Sequence, residues 1–308
     1  MCFLTDDKIN IDLVKDSLSS HDFSIVKELR DKTDWEFSGP SLVVSYAPKK
    51  NGFVSIDIVE QPWPDSMGDI KVDTKIFSAW SMGYFGPFTF PGCLLRARQH
   101  SWAWTPGKLI AQNHKGFIRI RISYVFGAKD NSPILPDDYD CSAELIFLSK
   151  MAMVIMDIPG VYCYFNPNGE VLRDSNSFQD SWRFFANHQS LPLPLWSNVR
   201  FFKLNDNIAV MDTVGNGQLD VSDIEAVFPL SKYDPGEVDS YLRNVTSYLI
   251  NFSGELKSNE PIDGPGDSDL TWILELHEKG LVDPPRMVVR LYPKEHQKEI
   301  HFLTSSLA

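Results

Sequence analysis

The sequence predicts an α+β fold: a mostly antiparallel or mixed sheet with helices packed against it, built as one elaborated domain over residues 1–308. Three observations carry this. Two β-rich runs, Ser41–Tyr46 and Phe53–Val59, flank the turn-forming Pro48-Lys49-Lys50-Asn51-Gly52 and read as a hairpin. Single helical patterns alternate with such hairpins instead of with lone strands, which disfavours a doubly wound parallel sheet. No short internal repeat is present, only a coarse echo of helix followed by hairpin. That echo suggests sub-halves at 1–115 and 116–293, with 294–308 as a weakly held tail.

Taken in order, Met1–Leu4 reads as the end of a short strand. Asn10 is a helix N-cap, with Ile11, Val14 and Leu18 following at helical spacing. Ser38-Gly39-Pro40 breaks the chain before the hairpin, whose second arm turns Val54, Ile56 and Ile58 to one face. Gln61-Pro62-Trp63-Pro64 ends that strand, because proline has no N–H for the ladder, and Trp63 reads as a core-packing turn residue. Ile76–Met82 is a short helix, and Gly83–Gly92 a folded aromatic loop. In Phe117–Phe126, Ile118, Ile120, Ile122 and Tyr124 face the core while Arg119 and Arg121 point to the other side.

Asp137–Met156 opens on acids suited to a helix N-terminus and carries a wide apolar stripe, so it is a buried helix stopped by Pro159-Gly160. Val161–Phe165 is a strand, and Phe178–Ala186 a helix with Trp182 and Phe185 inward. Leu191–Trp196 is a proline-stiffened connector and Val199–Leu204 another strand. Asp234-Pro235-Gly236-Glu237 starts a helix: Asp234 caps, Pro235 takes the first position and Glu237 the capping-box position. Ser253–Ser268 reads as an acidic loop, and Leu270–Leu276 and Met287–Leu291 as closing strands.

Composition excludes several functions. With 43% hydrophobic and 23% charged residues the chain is globular, and no apolar run approaches the roughly 18 residues of a membrane span. Met1–Asp7 has neither the basic nor the apolar region of a secretory signal. A formal charge of −12 opposes nucleic acid and anionic membrane alike, and attracts a basic protein partner. The dispersed Cys2, Cys93, Cys141 and Cys163 read as reduced thiols of a cytoplasmic protein. The oligomeric state is left open.

The most motif-like stretch is Asn207–Pro229. Asp212–Asp223 imitates a calcium loop, with Asn216 fifth, Gly217 sixth, Asp220 ninth and Asp223 twelfth. Val214, however, fills the third position, where an oxygen ligand is needed, and a strand precedes the loop in place of a helix. Gly215-Asn216-Gly217 fails as a dinucleotide fingerprint because Asp220 stands where the third glycine belongs. His277-Glu278 lacks a second histidine, and His296 and His301 are five apart in a solvated tail. His100 and His114 read as hydrogen-bonded structural residues. There is no Walker loop and no GxSxG. No metal, cofactor or catalytic set is therefore expected. Acids without Lys or Arg recur over 204–231 and 258–278. Asp220, Asp223, Glu260, Asp263, Asp267 and Asp269 are candidate partner-facing residues of one acidic surface.

Four segments taken together resemble the bacterial domain-of-unknown-function 4261 family: VVSYAPKKNGFVSIDIVEQPWPD, HKGFIRIRISYVFG, VMDTVGNGQLDVSDIEAVFP and IDGPGDSDLTWILELHEKGLVDPPRMVVRLYP. The resemblance runs from about Ser41 to Pro293. It assigns Asp212, Thr213, Gly215, Leu219, Asp223 and Glu225 to a structural signature, with Gly217 in the same turn. Some similar proteins look like immunity proteins encoded beside toxins, so the resemblance implies binding more than catalysis. The expectation is a non-enzymatic protein that neutralises a basic toxin or effector domain. The alternatives are a thiol-dependent hydrolase or transferase, using Cys141 or Cys163 beside a histidine, and a calcium-dependent module.

Overall fold

A computed structural model describes the chain apart from residues 7, 32–34, 36, 130–131, 253, 267–269 and 306–308. The architecture is α+β, in two compact units, Met1–Leu195 and Trp196–Ala308. The first holds β1 (Cys2–Thr5), α1 (Ile11–Ser19), β2 (Ile25–Leu29), β3 (Ser41–Ala47), β4 (Gly52–Val59), α2 (Thr74–Ser81), α3 (Cys93–Gln99), α4 (Gly107–Ile110), β5 (Gly116–Ser123), α5 (Cys141–Met156), β6 (Val161–Asn166), β7 (Val171–Arg173) and α6 (Ser175–Asn187). A single helical turn, α7 (Leu193–Trp196), follows.

The first sheet has the order β2-β3-β4-β5-β1-β6-β7, with every neighbouring pair antiparallel. The amino-terminal strand is thus inserted in its interior, between β5 and β6. The expected boundary between 115 and 116 does not exist, because it would cut β5 away from β4 and β1, its two partners. Both faces of this sheet are covered. On one, Phe3, Tyr164 and Phe178 stack beneath α6, and α1 packs on α5. On the other, Trp63 lies against the rings of Trp80, Phe85, Phe117 and Phe165 in an apolar cluster that also contains Leu4 and Cys163. This explains a correction. Arg119, expected on an open face, is 2% exposed because that aromatic layer covers it, and its charge is met by Asp57 at 3.0 Å and by the face and hydroxyl of Tyr84.

Local signals act as expected at the helix starts. Asn10 Oδ1 accepts from the Asp12 N–H, and Asp140 and Asp234 cap α5 and the helix Pro235–Asn251. In α6 the buried anchor is Phe178, one turn earlier than the inward pair expected, and Trp182 and Phe185 are only half-buried. β2 escapes sequence reading because Lys27 and Glu28 interrupt its alternation, as suits a sheet edge.

The second unit holds β8 (Asn198–Lys203), β9 (Ile208–Val214), β10 (Asp223–Pro229), α8 (Pro235–Asn251), β11 (Glu260–Asp263), β12 (Thr271–His277), β13 (Val288–Pro293) and α9 (Gln297–Ser305). Its sheet runs β11-β12-β13-β10-β9-β8 and is mixed, with β10 and β13 parallel and the other pairs antiparallel. Alternation splits its core in two. Met211, Ala226, Phe228, Leu274 and Leu291 face one way with Val238, Leu242 and Leu249 of α8. Val210, Val227, Ile273 and Tyr292 face the other way with Ile300 of α9. Two expectations are corrected. The acidic loop contains β11, paired to β12, and the supposed weak tail forms α9 through Ser305, seated by buried Ile300 and Thr304. No helix of the described residues is long and apolar enough to cross a membrane.

Candidate functional site

The second sheet carries a row of charge where its neighbours carry hydrocarbon. Strand register sets Arg200 opposite Asp212, Asp212 opposite Glu225, Glu225 opposite Arg290, and Arg290 opposite Glu275. The row therefore spans β8, β9, β10, β13 and β12 on the face that also bears Val210, Val227 and α9. Arg200, Asp212 and Glu225 have no exposed surface. Arg200 holds Asp212 through Nε–Oδ1 (3.0 Å) and Nη2–Oδ2 (2.6 Å). Arg290 Nε donates to Glu225 Oε2 at 2.8 Å, and the Leu281 N–H donates to Glu225 Oε1 at 2.6 Å.

From the loop between β12 and β13, Arg286 reaches into the same network. It donates to Asp212 Oδ2, to the Thr213 carbonyl at 2.6 Å and to Asp223 Oδ2 at 2.7 Å. Two guanidiniums and two carboxylates make this quartet electrically neutral, which is how so much charge tolerates burial. Burial works against ionisation of Asp212, but Arg200 and Arg286 outweigh it and hold the carboxyl below its ordinary value. For Glu225 burial prevails over its single arginine, and its carboxyl lies above the usual range.

The glycine-bearing turn is tied to this network. After β9 the chain passes Gly215 (φ 116°), makes a 3-10 turn over Asn216–Leu219 that includes Gly217, and leaves through Asp220 (φ 57°) with Leu219 buried. Thr213 Oγ1 donates to Asp223 Oδ1 and accepts from the Ile224 N–H. The Asn216 N–H donates to the same Asp223 oxygen, and the Asn216 amide reaches Thr213, the Ser222 carbonyl and Thr246 of α8. The oxygens that a calcium ion would need from Asp212 are engaged by arginines, and among the described residues no three His, Cys, Asp or Glu groups are placed to hold a metal. The turn shapes the scaffold and joins it to α8.

The candidate partner-facing acids differ in exposure and surroundings among the described residues. Asp223 is 7% exposed and neutralised by Arg286, so its place is in the scaffold, and its expected surface role is corrected. Asp220 is exposed at the turn. Glu260 and Asp263 lie on β11, the edge strand, with Asp263 exposed and Glu260 half-buried. Asp267 and Asp269 lie outside the described residues. Cys163 is fully buried beside Leu4 and Phe165, and burial pushes its thiol far up, away from the nucleophilic thiolate.

On the α9 face, at the β12 end of the charge row, there is a cavity of about 590 Å³ lined by Glu275, His277, Lys279, Asp283, Arg290 and His301 among others. Glu275 is its hub. It accepts from the Tyr292 hydroxyl, and the Nε2 atoms of His277 and His301 lie 3.2 and 3.1 Å from its two oxygens. Burial opposes the charge of Glu275, but these hydrogen bonds and the nearby histidines outweigh it and keep the carboxyl below its ordinary value. Sequence reasoning missed this group by testing each histidine for a metal partner. The usable signal was the alternation Ile273, Glu275, His277 on one face of β12, opposite Arg290 and Tyr292 of β13.

Residues 212–292 match the family model of a domain of unknown function (DUF4261). The span starts at the aspartate of the buried quartet and ends at Tyr292 beside the cavity, so it encloses the network except for Arg200. No curated protein and no solved structure is found similar to this chain.

Proposed function

From the premise that residues 212–292 are DUF4261-like, we propose that this chain is a non-enzymatic, cytoplasmic binding protein that neutralises a basic, toxin-like protein by direct contact. The observation that carries the reading is the edge strand β11, lying in a stretch from Ser258 to Glu278 that contains no Lys or Arg. An edge strand offers backbone groups to an incoming chain, and the exposed carboxylate of Asp263, with Glu260 three residues back on the other face of the strand, favours a cationic one. The overall charge of −12 steers such a partner toward the protein and speeds encounter at low salt. The resemblance to a family some of whose members look like immunity proteins supports the same direction. Burial disfavours Cys163 as the nucleophile of the competing thiol mechanism, which would then fall to the half-buried Cys141.

The test is co-expression with the product of the neighbouring open reading frame. A complex should be recovered, host growth should be protected, and Glu260→Lys with Asp263→Lys should weaken binding by at least about tenfold at low salt, with the loss shrinking as salt is raised. No complex and no protection would reject the reading. Full affinity in the charge-reversed variant would move the interface elsewhere.

A further inference from the structure

The end of Arg290 sets the cavity apart from the remainder of the charge row. This side chain is 93% buried and spends only Nε on Glu225. Its Nη1 and Nη2 have no hydrogen-bond partner among the described residues, and the arginine lines the cavity wall. The terminal nitrogens open onto the cavity, and a guanidinium fork placed this way at a space of this size is free to receive acceptors there. Its planar pair of terminal nitrogens matches the two oxygens of a carboxylate or a phosphate. Lys279 stands exposed at the rim and adds positive charge, while Glu275 is largely satisfied by Tyr292, His277 and His301 and competes weakly for Arg290. Glu225 on the other side fixes the guanidinium plane, so the fork is preorganised.

We propose that this cavity is a binding site for a small ligand bearing a carboxylate or phosphate group, grasped by the terminal nitrogens of Arg290. The site is independent of β11 and of any protein partner. A volume of about 590 Å³ admits a metabolite-sized molecule with its anionic head on Arg290.

Thermal melts and calorimetric titration of the full chain at fixed ionic strength test it, with inorganic phosphate, succinate and chloride as probes. Phosphate or succinate should raise the melting temperature in a saturable way and chloride should not. A response to phosphate alone assigns a phosphoryl ligand, and one to succinate alone a carboxylate. Glu225→Gln combined with Arg290→Met removes both buried charges together and should abolish the response. Arg290→Lys keeps the pairing to Glu225 but loses the fork, and should weaken binding about tenfold. The proposal is overturned if neither anion binds at about 10 mM, or if either variant binds as tightly as the parent.

Discussion

Arg200 and Asp212 stand directly opposite each other on β8 and β9, both without exposed surface, joined side-on by two hydrogen bonds of 3.0 and 2.6 Å. The pair holds because Arg286 and Asp223 complete a neutral quartet around it. This relationship accounts for the place of Asp212 in the central sequence motif. Asp212 is invested in joining β8, β9 and the loop that carries Arg286.

Removing the Asp212 charge alone should therefore be severe. Asp212→Asn leaves Arg200 and Arg286 sharing one carboxylate in the interior, and should cost about 3–5 kcal/mol in urea unfolding. Arg200→Met with Asp212→Leu leaves the balanced Arg286–Asp223 pair, and should cost clearly less than the single change. Equal losses for the two variants would contradict the neutral-quartet account.

The same aspartate predicts the acid limit of stability. Its folded carboxyl lies below the ordinary value of 3.8, so the folded state holds its proton less tightly than the unfolded state does. The stabilisation is complete above the unfolded value and is lost as pH falls below about 4 toward the folded one. Chemical unfolding between pH 6 and about 2.5 should show this loss, and the Arg200→Met, Asp212→Leu variant should show a shallower decline.

Much of this was legible in the sequence, and the remainder follows a pattern. Caps at Asn10 and Asp234 and the hairpin over 41–59 were readable because they are set by residues within a few positions of one another. The departure of the Asp212–Asp223 segment from a calcium loop was readable from Val214 at the third position. Its chemistry was not, because Arg200 and Arg286 reach Asp212 from strand pairing and from a loop 74 residues further along the chain. Arg119 misled for a related reason: alternation gives the face of a strand but not what covers it. The cavity was hidden because Glu275, Arg290 and His301 meet only once β12, β13 and α9 are packed.

His114 offers a separate test in the first unit. Its Nδ1 lies 2.7 Å from the Ala111 carbonyl, which can only accept, so Nε2 is left to accept from the backbone N–H of Trp63, also at 2.7 Å. The neutral ring suits both contacts, and burial lowers its basicity below the ordinary 6.5. The folded state thus binds the proton less readily than the unfolded state, and stability falls as pH drops from about 6.5 toward the folded value. His114→Ala should remove that slope and cost about 1–3 kcal/mol at pH 8, since the Trp63 N–H loses its acceptor. A variant that keeps the slope would place the titration elsewhere.

Asn216 makes the sharpest prediction for the turn. Its two amide protons are shared among Thr213 Oγ1, the Ser222 carbonyl and Thr246 Oγ1, while its backbone N–H serves Asp223. Asn216→Ala leaves these buried acceptors short and should cost about 2–3 kcal/mol. Asn216→Asp keeps the shape but brings a second carboxylate near Asp223, and should cost more at pH 7 while recovering part of the loss as the pH is lowered. Thr246→Val alone should cost about 1 kcal/mol, because Thr246 also donates to the Leu242 carbonyl within α8. Since the two side chains touch, a double-mutant cycle should return a coupling of at least about 0.5 kcal/mol. Strict additivity would mean that the turn and α8 are joined by apolar packing alone and that this hydrogen bond contributes nothing.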